Sequence, residues 1–138
     1  MKQLNCIMLI DDNKIDNFFH ERVIRKNNAA KEVIAMESGQ AAIDHIKAGN
    51  KLLQPELIFL DINMPGMDGW EFIEHYKLLD NSLQNAMIVV MLTTSDNPDD
   101  IVRARTHGLL SDFKTKPLTK EMLEDVINTY CSESDCDC

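Results

Sequence analysis

The chain has 138 residues, 44% of them apolar and 27% charged, and its 14 Lys and Arg against 23 Asp and Glu give a formal net charge of −9. At about 150 residues per domain this is one globular domain with its own core, and the composition excludes a collagen-like repeat, a disordered chain and a bundle of membrane spans. An acidic body repels polyphosphate at long range, so a cation or a basic patch on a partner is the natural ligand, and DNA is not.

The four cysteines do not form a disulfide framework. Cys6 lies in an apolar run, while Cys131, Cys136 and Cys138 crowd into the last eight residues. The stretch Cys6–Ile10 runs straight into Asp11 and Asp12, too short for a signal peptide or a membrane span. A reduced, cytoplasmic protein away from the membrane is the expectation.

In chain order, the run Cys6–Ile10 predicts a strand buried on both faces. Ile15, Phe18, Phe19 and Val23 then recur at helical spacing and predict a first helix with these four as its inner stripe. Val33–Met36 is the second strand. Ser38 caps a second helix lined by Ala42, Ile43 and Ile46, and Gly49 ends it. Leu57–Leu60 is the third strand. Asp68 caps a third helix carrying Trp70, Ile73 and either Tyr76 or Lys77 inward. Ile88–Leu92 is the fourth strand. Asn97-Pro98-Asp99-Asp100 supplies a cap, a first-position proline and two first-turn acids for a fourth helix, which Gly108 stops. Asp112–Thr115 is weak by composition and is assigned as a strand by its slot in the alternation. Met122, Leu123, Val126, Ile127 and Tyr130 form the stripe of a fifth helix after Thr119. That helix ends near Tyr130, and residues 131–138 are expected to be a disordered acidic tail; its Cys131, Cys136 and Cys138 could bind a soft metal or form a disulfide, but a fourth ligand is lacking. Five β-α units predict an α/β fold: an open five-stranded parallel sheet, doubly wound, with helices on both faces.

Ligands of such sheets bind beyond the carboxyl ends of the strands. Asp11 and Asp12 follow the first strand, Asp61 the third, Thr93, Thr94 and Ser95 the fourth, and Lys116 with Pro117 the fifth. Taken singly, each has a plain reading as a helix cap or a turn residue. Together they bring three carboxylates, a hydroxyl and an ammonium to one rim. Three close acids stay ionised only beside a cation, and hard oxygen ligands suit Mg²⁺. A carboxylate there can also attack phosphorus, with the lysine and hydroxyl stabilising the phosphoryl oxygens.

The segment Leu57-Ile-Phe-Leu-Asp61-Ile-Asn-Met-Pro65-Gly-Met-Asp-Gly69 resembles the phosphorylation-site signature of the CheY-like receiver domains of two-component response regulators. Asp11-Asp12, Met91-Leu-Thr93-Thr94 and Lys116-Pro117 match the family's other landmarks, and the likeness covers about residues 3–130. The Leu-Thr-Thr-Ser form at the fourth strand is similar to small stand-alone regulators, including phytochrome-associated ones. The resemblance implies a flavodoxin-like architecture. It implies Asp61 as phosphoacceptor, Asp12 as a direct Mg²⁺ ligand, Asp11 holding the ion through water, and Asn63 giving its backbone carbonyl. Thr93 becomes the switch hydroxyl, Lys116 the phosphoryl partner, and Phe113 the aromatic switch that signals by packing alone. A cis bond between Lys116 and Pro117 is also implied. Thr94 replaces a frequent Ala and is expected to narrow the path of a hydrolytic water.

The implied function is Mg²⁺-dependent acceptance of a phosphoryl group from a sensor histidine kinase or phosphotransfer protein. Catalysis is limited to self-phosphorylation from the donor and slow autodephosphorylation. Only eight residues follow Tyr130, so output is expected through a downstream protein. The expected face combines the fourth helix, fifth strand and fifth helix, around Ile101, Arg105, Phe113 and the outer side of Glu121–Tyr130; a symmetric copy of that face would give a homodimer. The alternative is a receiver-like interaction module that works without phosphorylation. An Asp-nucleophile hydrolase usually carries a second acid where Asn63 stands, and Asp11-Asp12 would repel a flavin phosphate. His20, His45, His75 and His107 show no zinc spacing and are expected on the surface. Met64 and Met67 are expected partly exposed in the loop beside the site.

Overall fold

The computed structural model describes residues 3–50, 53–92, 110–116 and 118–133. Five strands, β1 (Leu4–Ile10), β2 (Ala30–Met36), β3 (Leu57–Asp61), β4 (Met87–Leu92) and β5 (Leu110–Thr115), form one sheet in the order β2-β1-β3-β4-β5. Every pairing is parallel. β5 pairs with β4 despite its weak composition, with Phe113 in register with Val90 and a register shift between Ile88 and Val89 that skips Ser111. The chain reverses direction across the sheet between β1 and β3, and the carboxyl ends of those two neighbours open the crevice that such folds use for ligands.

Alternation along the central strands divides the core in two. Met8, Ile10, Ile58, Leu60, Ile88 and Val90 pack with Ala42, Ile43 and Ile46 of α2 (Gly39–Lys47) and with Trp70, Phe72, Ile73 and Tyr76 of α3 (Gly69–Lys77). Ile7, Leu9, Leu57, Phe59 and Val89 face the other way, toward Ile24 of α1 (Lys14–Lys26) and Leu123, Val126 and Ile127 of the C-terminal helix (Lys120–Glu133). Burial on both faces is why these strands read as unbroken apolar runs.

Local chemistry sets the helix starts. Ser38 Oγ accepts the Ala41 N–H at 3.1 Å. Asp68 accepts the Glu71 N–H at 2.8 Å while Glu71 reaches back to the Asp68 N–H, a complete capping box. Gly49 follows α2 at φ +72°, a left-handed position where a side chain is strained. Thr119 Oγ1 accepts the Met122 N–H at 3.2 Å and opens the C-terminal helix.

The expected inner stripe of α1 is overturned. Ile15, Phe18 and Phe19 are 65%, 62% and 52% exposed, and Val23 is half-buried. The inner face carries Asn17, His20 and Ile24 instead. Polar anchoring turns the helix: Asn17 Nδ2 donates to the Asp11 carbonyl at 2.8 Å, and Asp16 pairs with Lys116. Those contacts fix α1 with its apolar stripe outward.

Other expectations move as well. His20 is buried rather than on the surface, and His45 is half-buried with its Nε2 2.8 Å from the Leu53 carbonyl oxygen. Met64 is buried in the core, whereas Met67 is partly exposed as expected and packs against that core. The C-terminal helix runs on to Glu133, taking in the first three residues of the expected tail. The expected fourth helix and Thr93, Thr94, Ser95, Ile101, Arg105, His107 and Pro117 lie outside the described residues, as does the side chain of Phe113.

Candidate functional site

The rim is assembled by strand order. β1 and β3 are neighbours, so the acids after β1 meet the acid that ends β3 without any long reach. Carboxylate oxygens of Asp11, Asp12 and Asp61 lie within 4.8 Å of one another. Asp11 and Asp61 are buried at 3% and 4% exposure, and Asp12 is exposed.

Asp11 is fixed at each polar group. Its own N–H donates to the Met36 carbonyl at 3.0 Å, and its carbonyl accepts from Asn17. Its Oδ1 accepts the Asn13 N–H at 2.9 Å, and its Oδ2 accepts from Lys116 Nζ at 2.6 Å. Asn13 also caps α1, taking the N–H groups of Ile15 and Asp16 on its Oδ1. One short turn thus orients both an acid of the rim and the helix behind it.

Asp61 is held more loosely. Its Oδ1 accepts the Asn63 N–H at 3.3 Å and stands 3.7 Å from Lys116 Nζ. The turn that follows needs two glycines. Gly66 sits at φ +74°, and Gly69 donates its N–H to the Ile62 carbonyl at 3.1 Å. A Cβ on Gly69 would lie 2.6 Å from Ile62 Cα and 2.8 Å from the Asp61 carbonyl oxygen, so α3 can start this close to the end of β3 only without a side chain there.

The charges are unequal in their settings. Burial pushes the Asp61 carboxyl up; Lys116 draws it down, Asp11 raises it, the Asn63 N–H lowers it and Asp12 raises it, leaving it at about 6. Burial works against the Lys116 ammonium, but hydrogen bonds to Asp11 and Asp16 and the charges of Asp61 and Asp11 outweigh it and raise its pKa. His20 is lowered by burial first and by Lys116 second. A buried acid between two acids and an ammonium at the mouth of a crevice is a candidate functional site.

This donor set fits a small, hard divalent cation. All three side chains offer carboxylate oxygen, one is open to solvent, and part of the coordination shell is left for water or a phosphoryl oxygen.

The sequence profile of the response regulator receiver domain family matches residues 7–128. The chain belongs to that family. It is 32% identical over 99 residues to the response regulator Rcp1 of a Synechocystis species, an alignment covering 70% of this chain and 66% of that protein, just short of two thirds. Protein PilH of Pseudomonas aeruginosa is 26% identical over 88% of this chain and 93% of its own length. The crystal structure of a two-component response regulator from Cytophaga hutchinsonii superposes with a TM-score of 0.86 at 28% identity, covering 95% of this chain and 99% of that one. The receiver domain described here therefore has the flavodoxin-like fold expected from its sequence.

Of the expected site residues, the structure brings together Asp11, Asp12, Asp61 and Lys116, with Asn63 beside Asp61. Sequence reasoning missed Asp16. Its Oδ2 accepts from Lys116 Nζ at 2.9 Å. A first-turn acid is ordinary at a helix start, so nothing in the spacing singles it out. His20, buried and within the electrostatic influence of the same lysine, is likewise indistinguishable in sequence from the other scattered histidines. No described helix is long and apolar enough to cross a membrane.

Proposed function

We propose that this receiver domain accepts a phosphoryl group on Asp61 from a phosphohistidine, in the presence of Mg²⁺, and passes the signal to a partner protein in the cytoplasm. The observation that carries the reading is the setting of Asp61: a buried carboxylate at the crevice, within 4.8 Å of Asp11 and Asp12 and 3.7 Å from an ammonium. An Asp61 oxygen attacks phosphorus, the new O–P bond forms, the N–P bond of the donor breaks, and its electron pair returns to the imidazole. With a pKa of about 6, Asp61 is largely ionised at pH 7 and available as nucleophile. Lys116 can stabilise the equatorial oxygens during transfer. Asp11, Asp12, Asp61 and the Asn63 carbonyl would hold Mg²⁺, which supplies charge neutralisation for the incoming phosphoryl group. The domain is then a stoichiometric acceptor with slow autodephosphorylation. Output through the fourth helix, β5 and the C-terminal helix, with or without a homodimer, completes the proposal.

The test is intact mass after treatment with acetyl phosphate and Mg²⁺. One added phosphoryl group is expected, and none when Mg²⁺ is chelated. Labelling that is indifferent to both Mg²⁺ and Asp61 would leave the interaction-module reading in its place.

The outward face of α1 fits a protein donor. Ile15, Phe18 and Phe19 are exposed in the first two turns of α1, the helix that follows Asp11 and Asp12, the two rings meet edge-on at 5.5 Å, and Arg22 and Lys26 are exposed on the same helix. Exposed aromatics grouped beside a site mark docking surfaces more often than chance. Phe18→Asp is expected to slow transfer from a phosphohistidine protein about tenfold, the loss typical of one interface anchor. Labelling by acetyl phosphate should be unchanged, because that donor needs no docking face. Equal slowing with both donors would place Phe18 in the fold and not at an interface.

A further inference from the structure

Lys116 has two close partners, and one of them is not at a strand end. An ammonium carries three donors. Asp11 Oδ2 takes one at 2.6 Å and Asp16 Oδ2 another at 2.9 Å. Asp61 Oδ1, at 3.7 Å, is beyond hydrogen-bond reach. Asp16 is itself well placed to hold on: its N–H is tied to Asn13 Oδ1 at 3.2 Å in the first turn of α1, and its side chain is only 35% exposed.

We infer that Asp16 is a positioning residue that parks Lys116 on the α1 side of the rim and competes with the phosphoryl group for it. The inference rests on Asp61 being the acceptor. A phosphoryl group on Asp61 would carry its oxygens at the carboxylate that Nζ stands 3.7 Å from, whereas Asp16 holds Nζ at 2.9 Å from α1. To meet them, Nζ must move across the 3.7 Å gap toward Asp61, and the Asp16 contact is the one that lengthens, because Asp16 alone of its partners stands on α1 and not at a strand end of the β1–β3 crevice. The contact therefore opposes the phosphorylated state and sets how strongly a phosphoryl group must bind to draw the lysine over. The same contact ties α1, with its exposed aromatic face, to the lysine that moves.

The test uses beryllium fluoride, a phosphoryl mimic, at saturating Mg²⁺, with acetyl phosphate labelling in parallel. Asp16→Asn is expected to bind the mimic about fivefold to tenfold more tightly, the size of one net hydrogen bond. It should also lower half-saturating acetyl phosphate with little change in maximal rate. Asp16→Glu keeps the acceptor and should behave as wild type. Glu37→Gln removes an exposed charge at the end of β2 that pairs with Lys14 at 4.0 Å, and should also leave binding unchanged. An equal gain in Asp16→Asn and Glu37→Gln would reduce the effect to net charge and overturn the parking role. Unchanged or weaker binding in Asp16→Asn would overturn it too. If wild type neither binds the mimic nor takes up phosphoryl, the acceptor reading falls, and this inference with it; normal uptake with unshifted affinity removes this inference alone.

Discussion

Asp61→Asn is expected to take up no phosphoryl group and, in the absence of divalent cations, to be about 3 kcal/mol more stable than wild type at pH 7. The two effects share one cause. The proposed nucleophile is a carboxylate whose charge is disfavoured by burial, Asp11 and Asp12 and favoured, among the described residues, by Lys116 and the Asn63 N–H. Its pKa rises from 3.8 to about 6, and each unit is worth about 1.4 kcal/mol. Between these values the folded state holds the proton more tightly than the unfolded chain. Wild-type stability from this group is therefore complete below about pH 4 and is lost as pH rises through 6. The amide has no proton to lose, so the two proteins should converge near pH 4 and separate toward pH 7. Both keep His20, whose lowered pKa acts in the opposite sense at acid pH, so the difference between them isolates Asp61. Urea melts at pH 4, 5, 6 and 7 in chelator would measure it. Mg²⁺ should then narrow the gap, because the wild type has the third carboxylate to offer. A difference independent of pH would mean that the carboxylate is not strained in the metal-free fold.

Lys116→Met is expected to cost the metal-free domain about 3–5 kcal/mol, the usual loss when one partner of a buried ion pair is removed. Lys116 is only 13% exposed and its Nζ lies 2.6, 2.9 and 3.7 Å from Asp11, Asp16 and Asp61. Without it, Asp11 and Asp61 remain buried with no counter-charge among the described residues facing them. Methionine keeps much of the stem's packing, so the loss reports on charge. Two further readings separate this from general damage. Mg²⁺ at millimolar concentration should restore a large part of the stability, since the cation takes over the neutralising role. The His20 pKa should also rise, because Lys116 lowers it while Asp16 and Asp11 raise it. Thermal melts with and without Mg²⁺, with imidazole proton shifts followed against pH, would check both. A variant as stable as wild type in chelator would show that the acids are relieved by protonation and not by the lysine.

The role of α1 links these expectations to the exposed face. Asp16 and Asn17 point inward from adjacent positions and anchor the helix through Lys116 and the Asp11 carbonyl. Ile15, Phe18 and Phe19 are left in solvent as a consequence. Burying a large apolar side chain is worth about 1.5–3 kcal/mol, so this orientation forgoes stabilisation that the opposite one would gain. A partner that covers the face would recover part of it, which suits a surface used in encounters and not in the core.

Much of this protein is determined by sequence alone. Doubly buried strands need unbroken apolar runs, and β1, β3 and β4 carry one; the run of the edge strand β2 predicted its strand but not its burial, since only Ala30 and Val33 of β2 are buried. Ser38, Asp68 and Thr119 cap helices through bonds that span three residues, and such local chemistry does not depend on the rest of the fold. Asp11, Asp12, Asp61 and Lys116 stand where strands end, and a parallel sheet brings all its strand ends to one edge. What only the tertiary structure decided is what crosses between elements. Lys116 finds Asp11 over 105 residues and Asp16 over 100, and neither separation has a periodicity to betray it. The stripe of α1 follows the helical repeat faithfully, yet it faces water, because a repeat shows which residues share a face and not which face the sheet receives. Here two polar anchors at the rim made that choice, and in doing so they buried His20 and placed Asp16 against the lysine of the site.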